Sequence, residues 1–460
     1  MKREDLLSKI SDPSKVWDVV VIGGGATGLG VAVDAVTRGY SVALFEWEDF
    51  AKATSSRSTK LVHGGVRYLA QGDVSLVLEA LYERGLLQQN APHLVKNQSF
   101  LIPNYRYWDN FLYTVGLTIY DILAGRLSLG RSKYVSKKKT TSYLPTVRVD
   151  GLKGGVVYHD GQFDDSRLAV NLAQSCVENG GCPINRMKVT AILHGSDGRA
   201  RGVKVQDLMN GQEYEVKAKA VINATGIFVD SIMEMDVPTH EHMVKPSQGV
   251  HLVLDKSFLQ SDYAIMIPKT DDGRVLFAVP WHDKVVVGTT DTLREHPELE
   301  PQALESEIEF ILNTAGRYLT RKPQRSDVLS VFAGLRPLAA PKKEGKSTKE
   351  ISRSHKIFVS ENKLITITGG KWTTYRRMAE DTVDKAIELN LLEKKACVTK
   401  KFRIHGYQLN PDLNNHLYIY GSDIQAIKTL MQSDPAMAEK LHPKYDYTVA
   451  EVVWAVREER

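Results

Sequence analysis

The sequence predicts an α/β fold, α+β overall: a parallel-sheet domain interrupted by an antiparallel-sheet domain and followed by a helical domain. Three observations predict it. Asp18 to Ile22 (DVVVI) is a short continuous apolar run, as a strand buried on both faces requires, and strand-like runs dominate again from 249 to 290. Between Ile22 and a second apolar run, SVALFE at 41–46, lie glycines and a helix-like run from Ala26 to Thr37, giving one βαβ unit near the N-terminus. After about residue 400 the pattern becomes helical.

The remaining elements follow in order. Residues 53–60 form a loop rich in Ser, Thr and Lys, and 73–92 read as a helix. Residues 104–140 are aromatic, then apolar, then strongly basic. Helix and strand alternate from 155 to 227, and a helix covers about 302–319. Lys342 to Ser354 is a charged, Gly- and Ser-containing loop. Residues 364–389 read as strand, glycine turn and long helix. The expected division is 1–103, 151–240 and 331–395 for a discontinuous nucleotide domain, 104–150 and 241–330 for the inserted domain, and 396–460 for the helical domain.

Composition narrows the class. The 460 residues suit two or three domains, and 42% hydrophobic with 25% charged residues is ordinary globular usage. A net charge of +5 is too small and diffuse to argue for nucleic acid, though it favours anionic substrates or lipid. Cys176, Cys182 and Cys397 give neither a disulfide framework nor a zinc pattern, so no metal is expected and the compartment is read as reducing. The opening MKREDLLSKISDPSKVWD has no apolar run, so no secretory signal is expected. No apolar run reaches 18 residues, so membrane contact is expected to be peripheral.

GGGATG at 23–28 fits G-x-G-x-x-G as Gly23, Gly25 and Gly28, directly after a strand and before a helix. Gly23 permits the tight turn, Gly25 lets backbone approach a pyrophosphate, and Gly28 allows close packing of helix on strand. The helix N-terminus offers free N–H groups and the positive end of its dipole to phosphates. Glu46 ends the second strand, where a carboxylate accepts hydrogen bonds from ribose hydroxyls and repels a 2′-phosphate. The bland alternative is a glycine turn beside a surface Glu. The motif alone does not choose between NAD and FAD.

The stretch TSSRSTKLVHGGVRYL, 54–69, resembles the signature of the FAD-dependent, quinone-linked glycerol-3-phosphate dehydrogenases. Further matches run in order along the chain: YHDGQFDDSRL (158–168), VINATG (221–226), VVVGTTDT (285–292), GLRPL (334–338), ISRSH (351–355) and GGKWTTYRRMAED (369–381). The resemblance implies a Rossmann-like FAD domain, a sheet-based substrate domain over the flavin and a C-terminal helical domain. It implies oxidation of sn-glycerol 3-phosphate to dihydroxyacetone phosphate, with electrons passed to ubiquinone or menaquinone. By the same resemblance the early loop (Thr54, Ser55, Ser58, Lys60, with Gly64 and Gly65) and the late turn (Gly370, Thr373, Thr374) contact the flavin, and Ala224, Thr225 and Gly226 lie near the dinucleotide. Ile227 departs from a position where relatives often carry Pro, and the resemblance predicts more of the helical domain than ends at AVREER.

The chemistry needs cations for the phosphate, an acceptor for the hydroxyl proton and a hydride acceptor. Arginine suits phosphate because its planar fork binds two oxygens at once. Arg336, Arg353 and Arg67 match family positions around the substrate, against the alternative of solvated surface charges. His63, before Gly64 and Gly65, is the first choice of proton acceptor, with His251 and His355 as rivals. Lys371, after two glycines at a helix start, stabilises negative charge on the reduced flavin or the alkoxide.

Residues 105–125 with KYVSKKK at 133–139 have the composition of an interfacial membrane anchor, or equally of a packed helix with a basic loop after it. The expected location is cytoplasmic, peripheral on the inner face of the cell membrane, or on the mitochondrial inner membrane in a eukaryote; a homodimer is compatible. Three competing readings stand: an oxidase of the same substrate using oxygen, an NAD-linked dehydrogenase, and a catalytically silent nucleotide-binding protein.

Overall fold

The structure is a computed structural model describing all residues except 71, 269, 271, 272, 274, 340–353 and 460, and excepting the side chains of 67 and 70. Arg353 and all but the last residue of the expected 342–354 loop lie outside the described residues.

Strand Val16–Ile22 sits at the centre of a sheet, parallel to Val42–Phe45 on one side and to Glu213–Asn223 on the other. Ile365–Thr368 extends the parallel set beyond 213–223, and Cys182–Ile184 beyond 42–45. Successive residues of the first strand enter two different cores. Val19 and Val21 pack with the helices Ala26–Thr37, Asp165–Glu178 and Tyr375–Glu388, while Trp17, Val20 and Ile22 pack on the opposite face. Side chains alternate across a strand, so two buried faces demand an unbroken apolar run. The first βαβ unit is where the sequence places it.

The second sheet is mostly antiparallel. Val244–Asp255 pairs with Val328–Ala339 and with Lys284–Gly288, and the sheet continues through 276–281 and 264–267. It then takes in Val95–Asn104, parallel to its neighbour Ala264–Ile267, followed by Gly154–Phe163 and Leu61–Val62. The expected division put 61–62, 95–103, 154–163 and most of 328–339 in the nucleotide domain; strand pairing puts them in this second sheet. The reason is that a strand's own residues specify which faces are buried, not which neighbour it joins. Phe100, Ile102, Val156 and Tyr158 face one core and Leu101 and Val157 another, whichever sheet holds them.

Helix Val74–Asn90 is capped by Asp73, whose carboxylate accepts from the Leu76 N–H at 3.1 Å. Helix Glu305–Gly316 starts where Glu307 accepts from the Leu304 N–H at 3.0 Å. The C-terminal segment is helical at His416–Asp423, Ile424–Ser433 and Val449–Trp454, but it also holds a small hairpin, Lys440–His442 with Tyr445–Thr448, unforeseen in the sequence.

Candidate active site

Two cavities meet between the sheets. The first, about 560 Å³, runs along the turn after the first strand and is lined by Gly23, Gly25, Glu46, Trp47, Ser55 and Thr225, among others. Its floor is backbone. Gly23 has φ +104°, and a Cβ there would lie 2.7 Å from the Ala224 carbonyl oxygen. A Cβ on Gly28 would sit 1.9 Å from the Gly23 carbonyl oxygen. Helix Ala26–Thr37 points its N-terminus here, with the Ser55 hydroxyl accepting from the Ala26 N–H at 2.9 Å. Glu46 accepts from the N–H groups of Gly24 (2.6 Å) and Glu48 (2.8 Å); burial raises its pKa and these two bonds oppose the rise. A glycine-walled groove with a helix N-terminus midway and a carboxylate at one end fits a dinucleotide such as FAD, because phosphates need N–H groups and close approach.

The second cavity, about 310 Å³, lies between the antiparallel sheet and the late glycine turn. The two share Thr54, Pro337, Gly369, Gly370, Lys371 and Trp372, so they adjoin across these residues. Phe100, Tyr158, Met266 and Phe277 make its apolar side; Arg57, His63, His251, Asp291, Arg336 and Lys371 its polar side. Arg336, on the strand edge opposite Ser247, donates to the Thr290 carbonyl at 3.1 Å and the Thr289 hydroxyl at 3.0 Å. Asp291 lies 3.8 Å from it and accepts from the Ser247 hydroxyl. A Cβ on Gly249 would meet the guanidinium at 2.4 Å, so that glycine makes room for the fork. The Lys371 ammonium stands 4.0 Å over the Tyr68 ring.

His63 and His251 both line this chamber. His251 is buried, shares a hydrogen bond with the Thr59 hydroxyl at 2.8 Å and stacks on Phe332. Burial, then the charges of Arg336 and Lys60, push its pKa down to about 3, so its ring is neutral at working pH. His355 is paired with Asp381 at 3.0 Å and does not line the chamber.

The other expected residues divide. Thr54 donates to the Leu335 carbonyl at 2.6 Å and lines both cavities. Gly65 and Thr373 line the chamber; Ala224, Thr225, Gly226 and Gly370 line the groove. Ser58 lines the chamber, but its hydroxyl is committed to Asp165 at 2.6 Å. The Lys60 ammonium binds Asp165 at 2.6 Å and the Ser56 carbonyl at 2.8 Å, and it faces neither cavity. Gly64 and Thr374 also lie behind the lining: the Gly64 N–H donates to the Tyr120 hydroxyl, and Thr374 to the Lys371 carbonyl. Arg67's side chain and Arg353 lie outside the described residues.

Sequence reasoning missed Arg57, Asp291, Thr289 and Thr290. The signal was present in TSSRSTK, a polar run before the strand Leu61–Val62, and in VVVGTTDT, where polar residues follow an apolar strand. It also expected no metal cluster. Folding brings Asp230, His240 and His242 together with donor atoms within 4.8 Å of one another, and none of the three lines either cavity.

A model of the FAD dependent oxidoreductase family matches residues 18–376. The chain is 39% identical to the probable mitochondrial glycerol-3-phosphate dehydrogenase of Caenorhabditis elegans, over 99% of this chain and 67% of that protein. It is 43% identical to the mitochondrial glycerol-3-phosphate dehydrogenase of Schizosaccharomyces pombe, over 88% of this chain and 66% of that protein. The chain thus spans about two thirds of the length of these relatives. Among solved structures, the glycerol-3-phosphate dehydrogenase of Bacillus halodurans complexed with FAD superposes with a TM-score of 0.78 at 30% identity, covering 100% of this chain and 86% of that one. With the glycine groove and the cationic chamber joined in one site, the chain belongs to the FAD-dependent oxidoreductases, in the family of the glycerol-3-phosphate dehydrogenases.

Proposed function

We propose that this chain oxidises sn-glycerol 3-phosphate to dihydroxyacetone phosphate and that the electrons pass to a membrane quinone, ubiquinone or menaquinone. The observation that carries this reading is that the two cavities adjoin, with Gly369, Gly370 and Lys371 lining both. A cationic chamber set against a dinucleotide groove lets one end of a small phosphate ester be held while the other reaches the cofactor. Bound FAD supplies the hydride acceptor.

The chain's own residues do the rest. Arg336 holds the phosphate, its fork already aimed by Thr289 and Thr290. Arg57, paired with Glu300 at 3.0 Å, also lines the chamber, and Arg67 and Arg353 join by their place in the family pattern. His63 accepts the C2 hydroxyl proton, since the other histidine of the described lining, His251, is made a weak base by burial and is tied to Thr59. Lys371 stabilises the alkoxide that forms. The apolar side excludes water from the reacting carbon.

Peripheral membrane contact belongs to the same proposal. Helix Tyr107–Ala124 buries Asn110, Leu117, Tyr120 and Ala124 and exposes Trp108, Phe111, Leu112, Val115, Ile119 and Ile122 along one stripe. Lys137, Lys138 and Lys139 are exposed on the element after next. An outward apolar stripe with aromatic residues and nearby lysines suits the headgroup boundary of an anionic bilayer. Among the described residues no helix is long and apolar enough to cross a membrane. The surface would be the inner face of a cell membrane or the mitochondrial inner membrane.

The test is turnover of the flavin-loaded protein with glycerol 3-phosphate, measured with a soluble quinone and with oxygen alone. Quinone-dependent turnover with negligible oxygen uptake supports the reading. Equal peroxide formation with oxygen would transfer the assignment to an oxidase, and absence of any turnover would reject the substrate.

A further inference from the structure

Beside the His63–Gly64–Gly65 turn runs a buried hydrogen-bonded chain that the chemistry above does not use; one member, Asp160, also lines the chamber, while Tyr120 and Arg84 stand behind it. The Gly64 N–H donates to the Tyr120 hydroxyl at 2.8 Å. That hydroxyl donates to Asp160 at 2.7 Å, and Asp160 accepts from the Arg84 guanidinium on its other oxygen at 2.7 Å. Tyr120, Asp160 and Arg84 are all almost fully buried. They come from three separate elements: the Tyr107–Ala124 helix, the Gly154–Phe163 strand and the Val74–Asn90 helix.

From this geometry we infer that Tyr120 is a positioning residue, fixing the turn that carries His63 toward the substrate. This rests on the reading of the chamber given above.

The proton inventory makes the arrangement directional. A phenol has one hydrogen to give. Asp160, compensated by Arg84, takes it, so the lone pair facing Gly64 receives the backbone N–H. Burial, then the Asp160 charge, hold the Tyr120 pKa well above its ordinary value, so the hydroxyl stays protonated. The space is closed as well: a Cβ on Gly64 would meet the Tyr120 oxygen at 2.5 Å. On the opposite side the His63 N–H donates to Thr373 at 3.2 Å. The turn is held from both sides, by Thr373 at the late glycine turn and by Tyr120 from outside the chamber. His63 and Gly65 line the chamber while Gly64 and Tyr120 stand behind it, so Tyr120 acts without touching substrate. Small displacements of a reacting group cost rate more than they cost binding.

The test is Tyr120→Phe in the flavin-loaded protein. It removes one oxygen, leaves the ring packed, and strips the Gly64 N–H of its acceptor. The limiting rate of anaerobic flavin reduction by glycerol 3-phosphate is normalised to bound flavin, which removes any effect of incomplete folding. We expect that rate to fall by about tenfold or more while the half-saturating concentration changes by less than about twofold. Tyr40→Phe, which removes another buried tyrosine hydroxyl bonded to the Glu393 carbonyl far from both cavities, should leave the rate unchanged. A normalised Tyr120→Phe rate within about twofold of the parent would overturn the assignment, as would a loss that vanishes on normalisation. A parent protein whose flavin is not reduced by glycerol 3-phosphate would instead reject the substrate reading.

Discussion

Along the dinucleotide groove the working surface is backbone: Gly23, Gly25, Gly226 and Gly370 bring main chain to the cavity, and Glu46 closes one end. In the adjoining chamber the working surface is side chain: Arg57, His63, His251, Asp291 and Arg336 converge from distant segments. The two share a wall but fail in different ways. A backbone surface has no tolerance for an added carbon, whereas a side-chain surface depends on what aims each group.

The largest effect should follow from damaging the groove. Gly28→Val places a Cβ where only 1.9 Å separates it from the Gly23 carbonyl oxygen. The first turn must open, and the purified protein should lack the yellow flavin band. A full flavin complement in that variant would show that the turn is not the binding surface.

Damage to the chamber should spare the flavin and reduce catalysis. Arg336→Lys keeps the charge but loses the fork that Thr289 and Thr290 aim. A charge-assisted contact is worth about 1.5–3 kcal/mol, so kcat/KM for glycerol 3-phosphate should fall roughly tenfold or more at unchanged flavin content. Unchanged kinetics would remove Arg336 from the site.

A smaller difference concerns acid. His251 in the chamber wall and the buried His93 have folded pKa values near 3 and 4, below their ordinary 6.5. Both are lowered chiefly by burial, so as pH falls below 6.5 the unfolded chain takes up these protons first. Stability is complete above that pH and declines on acidification, by at most about 1.4 kcal/mol per pH unit from each group. His251→Gln should flatten the decline measured by denaturant unfolding between about pH 7 and about pH 5. A slope identical to the parent's would mean that His251 is not buried neutral.

The smallest effect on the site itself is expected from its outer surface. Trp108→Ser with Phe111→Ser should reduce sedimentation with anionic vesicles while leaving anaerobic flavin reduction intact. Undiminished sedimentation would place the membrane contact elsewhere.

The same contrast decides what was legible beforehand. Glycine is its own signal, so Gly23, Gly25 and Gly28 between two apolar strands disclosed the groove without any partner being known. The first strand disclosed its double burial because Val19, Val20, Val21 and Ile22 are all apolar. Arg336 was legible only through a family pattern; the polar run holding Asp291 and Thr290 was visible, but not that it meets Arg336, since a contact between distant segments leaves no trace in either residue's neighbours. Lys60 illustrates the converse: a lysine in a loop expected to contact the flavin reads as a ligand until Asp165, more than a hundred residues away, is seen holding it. That the strands at 95–104 and 154–163 join the antiparallel sheet could not be read from either strand, because pairing is a property of two segments.

The central claim is that a cationic chamber positions a phosphate ester against the dinucleotide groove. Its most direct test is anaerobic flavin reduction at saturating glycerol 3-phosphate and at saturating glycerol. Phosphate binding energy holds C2 in place, so glycerol should lose limiting rate as well as affinity. Bleaching of the flavin by glycerol 3-phosphate, with glycerol slower by orders of magnitude even at saturation, is the predicted result. Similar limiting rates for the two alcohols would contradict it.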